Sequence, residues 1–505
     1  MRLNILGSHK FMGLILAYLA LTACTDNPTK DTQTLVVALS SSPATLDPRF
    51  ATDANGMRIA DLLFNSLVKR DVDLNLVGDA AQVWEYKKLE YNFVLKEGLS
   101  FSNGQKLSKE DIEFSFNEYL SPSSPFKTSL ESIKNIKVIQ QTNGLHIIIQ
   151  LKYFTATLLS ELTAVKFLPK TVVEKYGKDF NRHLEGTGSF KLEHQKANEI
   201  LLSARSDHPW AAPKVKKLLF KIIGDDNTRY LKTLKGDIDI SQSEMPPTKV
   251  KELEMQSDLT IHKYPGLSTS YLIFNLKDKN LKSLKVRQAI AHAIDRDEII
   301  KYKLEGLAIP ATAIITPVSP FHNATLENLK LDPEKSRRMI EILGLKDKAF
   351  TLKTSNNKAA IENGKVISNQ LSKIGLNIKL QNFEWGTFYS DIKKGNFQMA
   401  TMRWVGIVEP DTYRLVFHSQ EFPPGKNRGY YVNVKLDKLL DQAMSMENSS
   451  LRIKAYQKIQ KIVLEDLPII PLWHDTQVSI VRKRVQGYIP PKNSDFSAFS
   501  QVSKR

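Results

Sequence analysis

The sequence predicts an α/β protein of two or three domains, and three observations carry that reading. Runs of β-favouring residues alternate with amphipathic helical runs throughout the chain, the pattern of α/β architecture. The chain has 505 residues, too many for one hydrophobic core. Hydrophobic residues make up 42% of it, an ordinary share for folded protein.

The N-terminus reads as an export signal. MRLNILGSHK carries Arg2 and Lys10, and FMGLILAYLAL behind it is uncharged and almost wholly apolar, too short a run to span a bilayer comfortably. Leu21, Thr22, Ala23 and Cys24 follow. They resemble the bacterial lipobox, in which small residues admit a peptidase that cuts before a cysteine destined for lipid. Cys24 is the only cysteine in the chain, so it has no internal disulfide partner. Residues 1–23 are therefore expected to be removed, Cys24 to be the lipid attachment point, and TDNPTKDTQT up to residue 34 to be a polar tether broken by Pro28. No other run is apolar for long enough to cross a membrane.

The elements follow in order. TLVVALS is read as a buried strand, as are LHIIIQL (145–151), KKLLFKIIG (216–224) and LNIKLQNFEW (376–385). SKEDIEFSF opens a helix, with Ser108 and Asp111 spaced as a capping box in which Asp replaces the usual Glu or Gln. VRQAIAHAIDRDEIIKY (286–302) is expected to be one amphipathic helix, with Ala289, Ile290, Ala293, Ile294 and Ile300 near one face. DPEKSRRMIEILG starts with Asp332 as N-cap and Pro333 at the first helical position, and ends on Gly344. KLDKLLDQAMS (435–445) turns Leu436, Leu439 and Leu440 inward, and LRIKAYQKIQKIVLED (451–466) has the same period. There is no short internal repeat and no low-complexity tract.

Charge and motifs narrow the function. The formal net charge is +17, but the basic residues are scattered, no nucleic-acid motif accompanies them, and export argues against nucleic acid as a partner. The balance reads as solvated surface that favours contact with an anionic membrane. None of the ten histidines shares an i, i+3 or i, i+4 spacing with another, so no local zinc motif exists. No nucleophile elbow, phosphate loop or EF-hand loop is present. GTGS (186–189) lacks the context of a phosphate cradle and reads as a turn ahead of the strand FKLEH. The residues point to binding rather than catalysis, with no cofactor and no metal.

Several segments in order resemble the bacterial extracellular solute-binding proteins of the peptide and nickel type that serve ABC importers. They are SSPATLDPRFATDANGMRIADLLFNSLVKRD (41–71), EYNFVLKEGLSFSNGQKLSKEDIEFSF (90–116), GTGSFKLEHQ, SDHPW, DDNTRYLKTLKGDIDI (225–240), KVRQAIAHAIDRDEII (285–300) and DPEKSRRMIEILG. Together they span essentially the whole chain after Cys24.

The resemblance implies a type II periplasmic binding protein-like fold of two α/β lobes with the ligand cleft between them. Lobe I would comprise a core from 35–60, 182–266 and 475–505, enlarged by a subdomain inserted at 61–181; lobe II would be 267–474. Crossings are expected near 264–275 and 470–476. The implied work is capture of a peptide or similar small polar solute by a monomer on the periplasmic or extracytoplasmic face of the membrane, and delivery to an ABC permease. Nickel chelates, sugars, sensing without import and an anchored hydrolase stay open as alternatives.

RWVGIVEPD (403–411) resembles a cleft segment that in peptide binders carries Trp and then an Asp for the ligand amine. Trp404 and the Glu409-Pro410 pair fit, whereas Ile407 stands where the Asp is expected. A buried ammonium needs a counter-charge, so Glu409 or Asp411 is expected to substitute. Trp385, Trp404 and Trp473 offer apolar platforms with one donor each. Tyr271 lies at a crossing with a hydroxyl to donate, and Arg428, next to Asn427, is expected to hold a carboxylate. His474 is assigned to the hinge.

Overall fold

The computed structural model describes residues 33–142, 144–243 and 245–505. The expected leader, Cys24 and the tether as far as residue 32 lie outside the described residues. No helix among the described residues is long and apolar enough to cross a membrane.

The first half is built on the expected strand Thr34–Leu39, whose inward residues Leu35, Val37 and Leu39 are fully buried. It pairs in parallel with Lys217–Ile222 on one side and Ile240–Gln242 on the other. Antiparallel strands Glu199–Ala204 and Phe190–Lys196 extend the sheet outward. The turn before Phe190 is Gly186-Thr187-Gly188, and it packs directly on the end of helix Ala54–Leu63. Gly188 donates its N–H to the Leu63 carbonyl at 2.8 Å. A Cβ on Gly186 would lie 1.9 Å from the Leu63 carbonyl oxygen, and one on Gly188 2.3 Å from that of Leu62. Close backbone approach, not phosphate binding, explains these glycines.

A separate four-stranded antiparallel sheet is formed by Ala81–Lys87, Glu90–Leu95, Gly144–Leu151 and Ile133–Gln141. Helix Lys109–Leu120 packs on it and begins with both bonds of the Ser108/Asp111 capping box. Phe93 and Ile149 of this sheet and Ile112 and Phe116 of the helix join Leu35, Phe190 and Phe220 in one continuous core.

The second half carries parallel strands Ala349–Ser355, Asn377–Phe383 and Met399–Trp404. One core covers one face of its sheet, with Leu272, Phe274, Phe350 and Leu352; another covers the opposite face, with Tyr271, Ile273, Ala400 and Tyr456. The alternation of Tyr271 to Phe274 between them is the period-two signature of a strand buried on both sides. Residues 286–302 differ from expectation. The helix stops at Ala293, and Asp295 caps a second helix, Arg296–Tyr302, by accepting the Glu298 N–H at 2.8 Å. A short acidic side chain in extended backbone supplies a better cap than a helix interior.

Two long strands, Leu259–Phe274 and Ile469–Arg482, pair antiparallel and run through both halves. In the first half Ile469–Arg482 pairs with Ile240–Gln242; in the second half Leu259–Phe274 pairs with Met399–Trp404. All the strands apart from the small sheets therefore belong to one eleven-stranded sheet among the described residues. The result is a two-lobed α/β molecule. Between the lobes the register breaks: Pro265 faces Thr476 and Thr269 faces His474, so 266–268 bulge opposite Asp475. Such a bulge bends and twists a strand locally. A Cβ at Gly266 would sit 2.7 Å from the Asp475 carbonyl oxygen, so only glycine lets the strands cross this closely.

Gly188→Ala is expected to lower stability by about 2–3 kcal/mol through this overpacking. Urea unfolding should show a lower midpoint with an unchanged slope.

Candidate ligand cleft

The parallel strands of the second half end at one place. Ser355 closes the first, Glu384 follows the second and caps helix Trp385–Lys394, and Val405 follows the third. The strand Ile240–Gln242 of the first half ends opposite them at Ser243. Ligands of α/β proteins bind outside the carboxyl ends of such strands. Here those ends enclose a cavity of about 540 Å³, which also reaches Trp385, Arg403, Trp473 and Asp475. That volume lies within the usual range for small-molecule sites.

Pair geometry places the cavity's charged groups. Ser270 faces Arg403 on one neighbour and Trp473 on the other, so these three side chains share a face of the sheet. Arg403 donates from Nε at 2.7 Å and from Nη2 at 2.6 Å to Asp475 Oδ2. Burial pushes the Asp475 carboxyl up, against the pull of Arg403 and a hydrogen bond from Trp473. Asn357 caps helix Lys358–Lys373 by accepting the Ala359 and Ala360 N–H groups, and this helix start also lines the cavity. Trp385, expected as a platform, is 55% exposed there and stacks on Tyr389 at 5.4 Å.

The other expected residues fall elsewhere. Tyr271 is 2% exposed and stacks on Trp404 at 6.2 Å, on the opposite face of the sheet from Ser270. Burial pushes its phenol up. Arg428 is buried and holds no carboxylate among the described residues; its Nη2 donates to the Tyr389 hydroxyl at 2.8 Å, with the guanidinium over the Tyr389 and Trp404 rings. Asn427 ties its loop together through the His418 and Tyr431 carbonyls. Ile407 is buried, with its N–H on the Leu267 carbonyl at 3.1 Å.

Glu409 and Asp411, expected to replace the missing Asp, already have partners inside the chain. Asp411 accepts from Arg452 at 2.5 Å and from the Tyr456 hydroxyl. Burial is the largest influence on its carboxyl and pushes it up. Glu409 accepts from Arg70 at 2.6 Å. Arg70 belongs to the first half and also reaches Ser160, so this ion pair bridges the two lobes. Glu161 of the first half lies close enough for Glu409 and Asp411 to add to the upward push that burial gives its own carboxyl.

His474 sits at the crossing. The Thr269 hydroxyl donates to the Ile314 carbonyl at 2.9 Å, so it accepts from His474 Nδ1 at 2.9 Å. Burial, helped by His322, pushes the His474 imidazole down to about 3.

Residues 75–422 match the family described as bacterial extracellular solute-binding proteins, family 5 Middle. The chain belongs to this family. It is 27% identical over 485 residues to the oligopeptide-binding protein AppA of Bacillus subtilis, covering 90% of this chain and 88% of AppA. It is 25% identical over 526 residues to a dipeptide-binding protein of Escherichia coli, covering 95% and 97%. The structure of Bacillus subtilis AppA in complex with a nonapeptide superposes with a TM-score of 0.79 at 26% identity, over 94% of this chain and 99% of that one. Family members bind solutes outside the cytoplasm, so the family reading of the segments and of the fold holds over nearly the full chain.

Arg403 and Asp475 were not singled out in the sequence. Their only signal is position, one residue before Trp404 and one after His474. Arg70 and Arg452, far apart in sequence, give no local signal at all.

Two outcomes follow from this geometry. Glu409→Gln should weaken the lobe-bridging pair by about 1 kcal/mol, allowing for its partial exposure, and so raise the open-to-closed ratio about fivefold. Solution scattering should then report a larger radius of gyration, with Glu362→Gln, whose partners Lys303 and Lys365 lie in the same lobe, unchanged. His474 predicts a pH effect. Below pH 6.5 the unfolded chain takes up a proton that the folded state refuses, so stability falls as pH drops towards 3. Between pH 6.5 and 5 this costs about 2 kcal/mol, and His474→Asn should remove that part of the decline in urea titrations.

Proposed function

We propose that the chain is the capture subunit of an ABC importer, tethered by lipid on Cys24 and closing around a short peptide or similar zwitterionic solute that it passes unchanged to a membrane permease. The observation that carries this reading is the charged pair inside the interlobe cavity. Arg403 and Asp475 supply one group of each sign in a recess walled by Trp385 and Trp473. A ligand with an ammonium and a carboxylate can exchange that pair for two of its own, so neither protein charge is left buried and alone.

In this reading Asp475 takes the amino end, the role for which Glu409 or Asp411 was expected. Arg403 takes the carboxylate, with the dipole of helix Lys358–Lys373, whose start lines the cavity, favouring the anion. Trp385 and Trp473 flank the ligand backbone. Tyr271, Trp404 and Arg428 support the sheet from behind, Asp411 fixes Arg452, and Glu409 acts as a clasp between lobes. Ligand contacts to both lobes exist only when they are together, so binding draws the population towards the closed form that a permease can recognise. Peptide is favoured over other solutes because the relatives AppA and the dipeptide-binding protein are named for peptides.

Titration calorimetry with di- to pentapeptides should find one site per chain and intact ligand recovered afterwards. Asp475→Asn should weaken free-amine peptides at least about tenfold while leaving N-acetylated ones nearly unaffected. Equal losses for both peptide types would move the amine elsewhere, and turnover of peptide would favour a hydrolase.

A further inference from the structure

The end of the first lobe's sheet that lies away from the cleft is strongly basic. Strand pairing sets Lys191, Ser203, Lys217 and Thr34 in one row across it. Strand Ile240–Gln242 starts at the same end and Ile469–Arg482 finishes there, since the Arg482 N–H meets the Asp239 carbonyl at 2.9 Å. The short antiparallel pair of Val485–Gln486 and Ser503–Lys504 adds Lys504 and Arg505.

The carboxylates at this end are already committed. Asp239 is buried and accepts from Arg484 at 2.6 Å and Lys504 at 2.9 Å. Asp258 is paired with Arg482. Glu193 accepts from Ser203 and lies beside Lys191 and Lys217, all of which lower its pKa. Lys214, Lys216, Lys217, Lys235, Lys483 and Arg505 are left exposed, and none has an ion pair within 4 Å among the described residues.

The chain enters the fold through this rim. The Gln33 carbonyl accepts the Lys216 and Lys217 N–H groups at 3.0 and 3.1 Å. On the lipoprotein reading, only residues 25–32 separate Gln33 from the acylated Cys24, a span of at most about 30 Å fully extended. Anchored this way, the rim is confined near the lipid surface, where each basic residue gains from anionic headgroups within a Debye length.

We propose that this rim is a docking surface for anionic phospholipid headgroups, which seats the resting protein with its cleft turned away from the membrane and open to solute. The proposal rests on the lipid-anchor reading for its biological setting but is tested without it. The mature chain carrying Cys24→Ser, which bears no lipid, is mixed with phosphatidylcholine vesicles with or without about 30% phosphatidylglycerol in about 0.1 M salt. Partitioning should be at least about tenfold stronger on the anionic vesicles and should collapse at about 0.5 M salt.

The triple variant K214E/K216E/K217E should lose that preference, whereas K346E/K348E/K379E, with the same net charge but altered on the second lobe, should keep most of it. Equal loss in both variants, or no preference for anionic vesicles, would overturn the proposal. Amine-labelling of the unsubstituted chain gives a readout that does not depend on the variants folding: vesicles should protect Lys214, Lys216 and Lys217 but not Lys346, Lys348 and Lys379, and the reverse or uniform pattern would also overturn it. Mass analysis of Cys24 in the native chain tests the anchor separately.

Discussion

The structure depends on two antiparallel strands that belong to both lobes at once. Leu259–Phe274 and Ile469–Arg482 are hydrogen-bonded to each other in each half, and each half then recruits its own neighbours to one side of the pair. The lobes are therefore not independent bodies on a loose linker. Their separation is set by one irregular stretch, where Gly266 to Ser268 bulge opposite Asp475. A bulge concentrates bending where ladder bonds are missing, while the regular pairing on either side resists it. His474, locked through Thr269 to the Ile314 carbonyl, fastens the second lobe's side of that bend. Any relative motion of the lobes would be channelled into these few residues, and Asp475, which lines the cavity, sits within them.

The disposition of charge follows from the same frame. Most buried ions of the molecule are used up internally: Arg205 by Asp207 and surrounding carbonyls, Arg452 by Asp411, Asp239 by Arg484 and Lys504. Burying an ion without a partner costs several kcal/mol, so each such group is spoken for before a ligand arrives. The pair in the cavity differs because Arg403 is half exposed and its partner lies at the bulge. It can be separated by a ligand that brings opposite charges of its own. Glu409 occupies a third category, holding Arg70 across the gap between the lobes, where its bond exists only while the lobes are near.

Local chemistry in the sequence foretold local structure well. The capping box at Ser108, the Asp332 cap with Pro333, the strand at 34–39 and the inward leucines of the helix Val434–Met444 all appear as read, because each rests on neighbours within one turn or one strand. The single helix expected over 286–302 divides in two because periodicity detects a buried face without seeing that Asp295 caps its own successor. Trp385 and Trp473 line the cavity as expected, whereas other expected site residues fall away from it for a related reason. Tyr271 and Ser270 are adjacent, yet pleating sends one to the cavity face and one to the core behind it, and the sequence does not say which face is which. The aromatic at the crossing attracted attention; the serine beside it lines the cleft. Likewise the acidic residues of the segment 403–411 were read as free, since Arg70 and Arg452, their partners, are remote in sequence. Family resemblance supplied the arrangement of lobes, which no local pattern encodes.

The polarity of the molecule is the last consequence of strand direction. The parallel strands of the first lobe begin at the basic rim, where the chain enters at Gln33, and end at the cleft beside Ser243. A six-residue strand spans about 20 Å, so the entry of the chain at Gln33 and the cavity beside Ser243 are held at opposite ends of the same elements. Helices of the second lobe reinforce this, because those starting at Lys358 and Trp385 direct their N-termini into the cavity. Basic side chains at one end and Arg403 at the other place positive charge in two separate settings: a surface one that screening by salt weakens, and a recessed one that is screened less. Under the proposed lipid anchor, a tether at the opposite end would press the cleft against the lipid, whereas entry at the rim would leave the mouth between the lobes free to sample the solution.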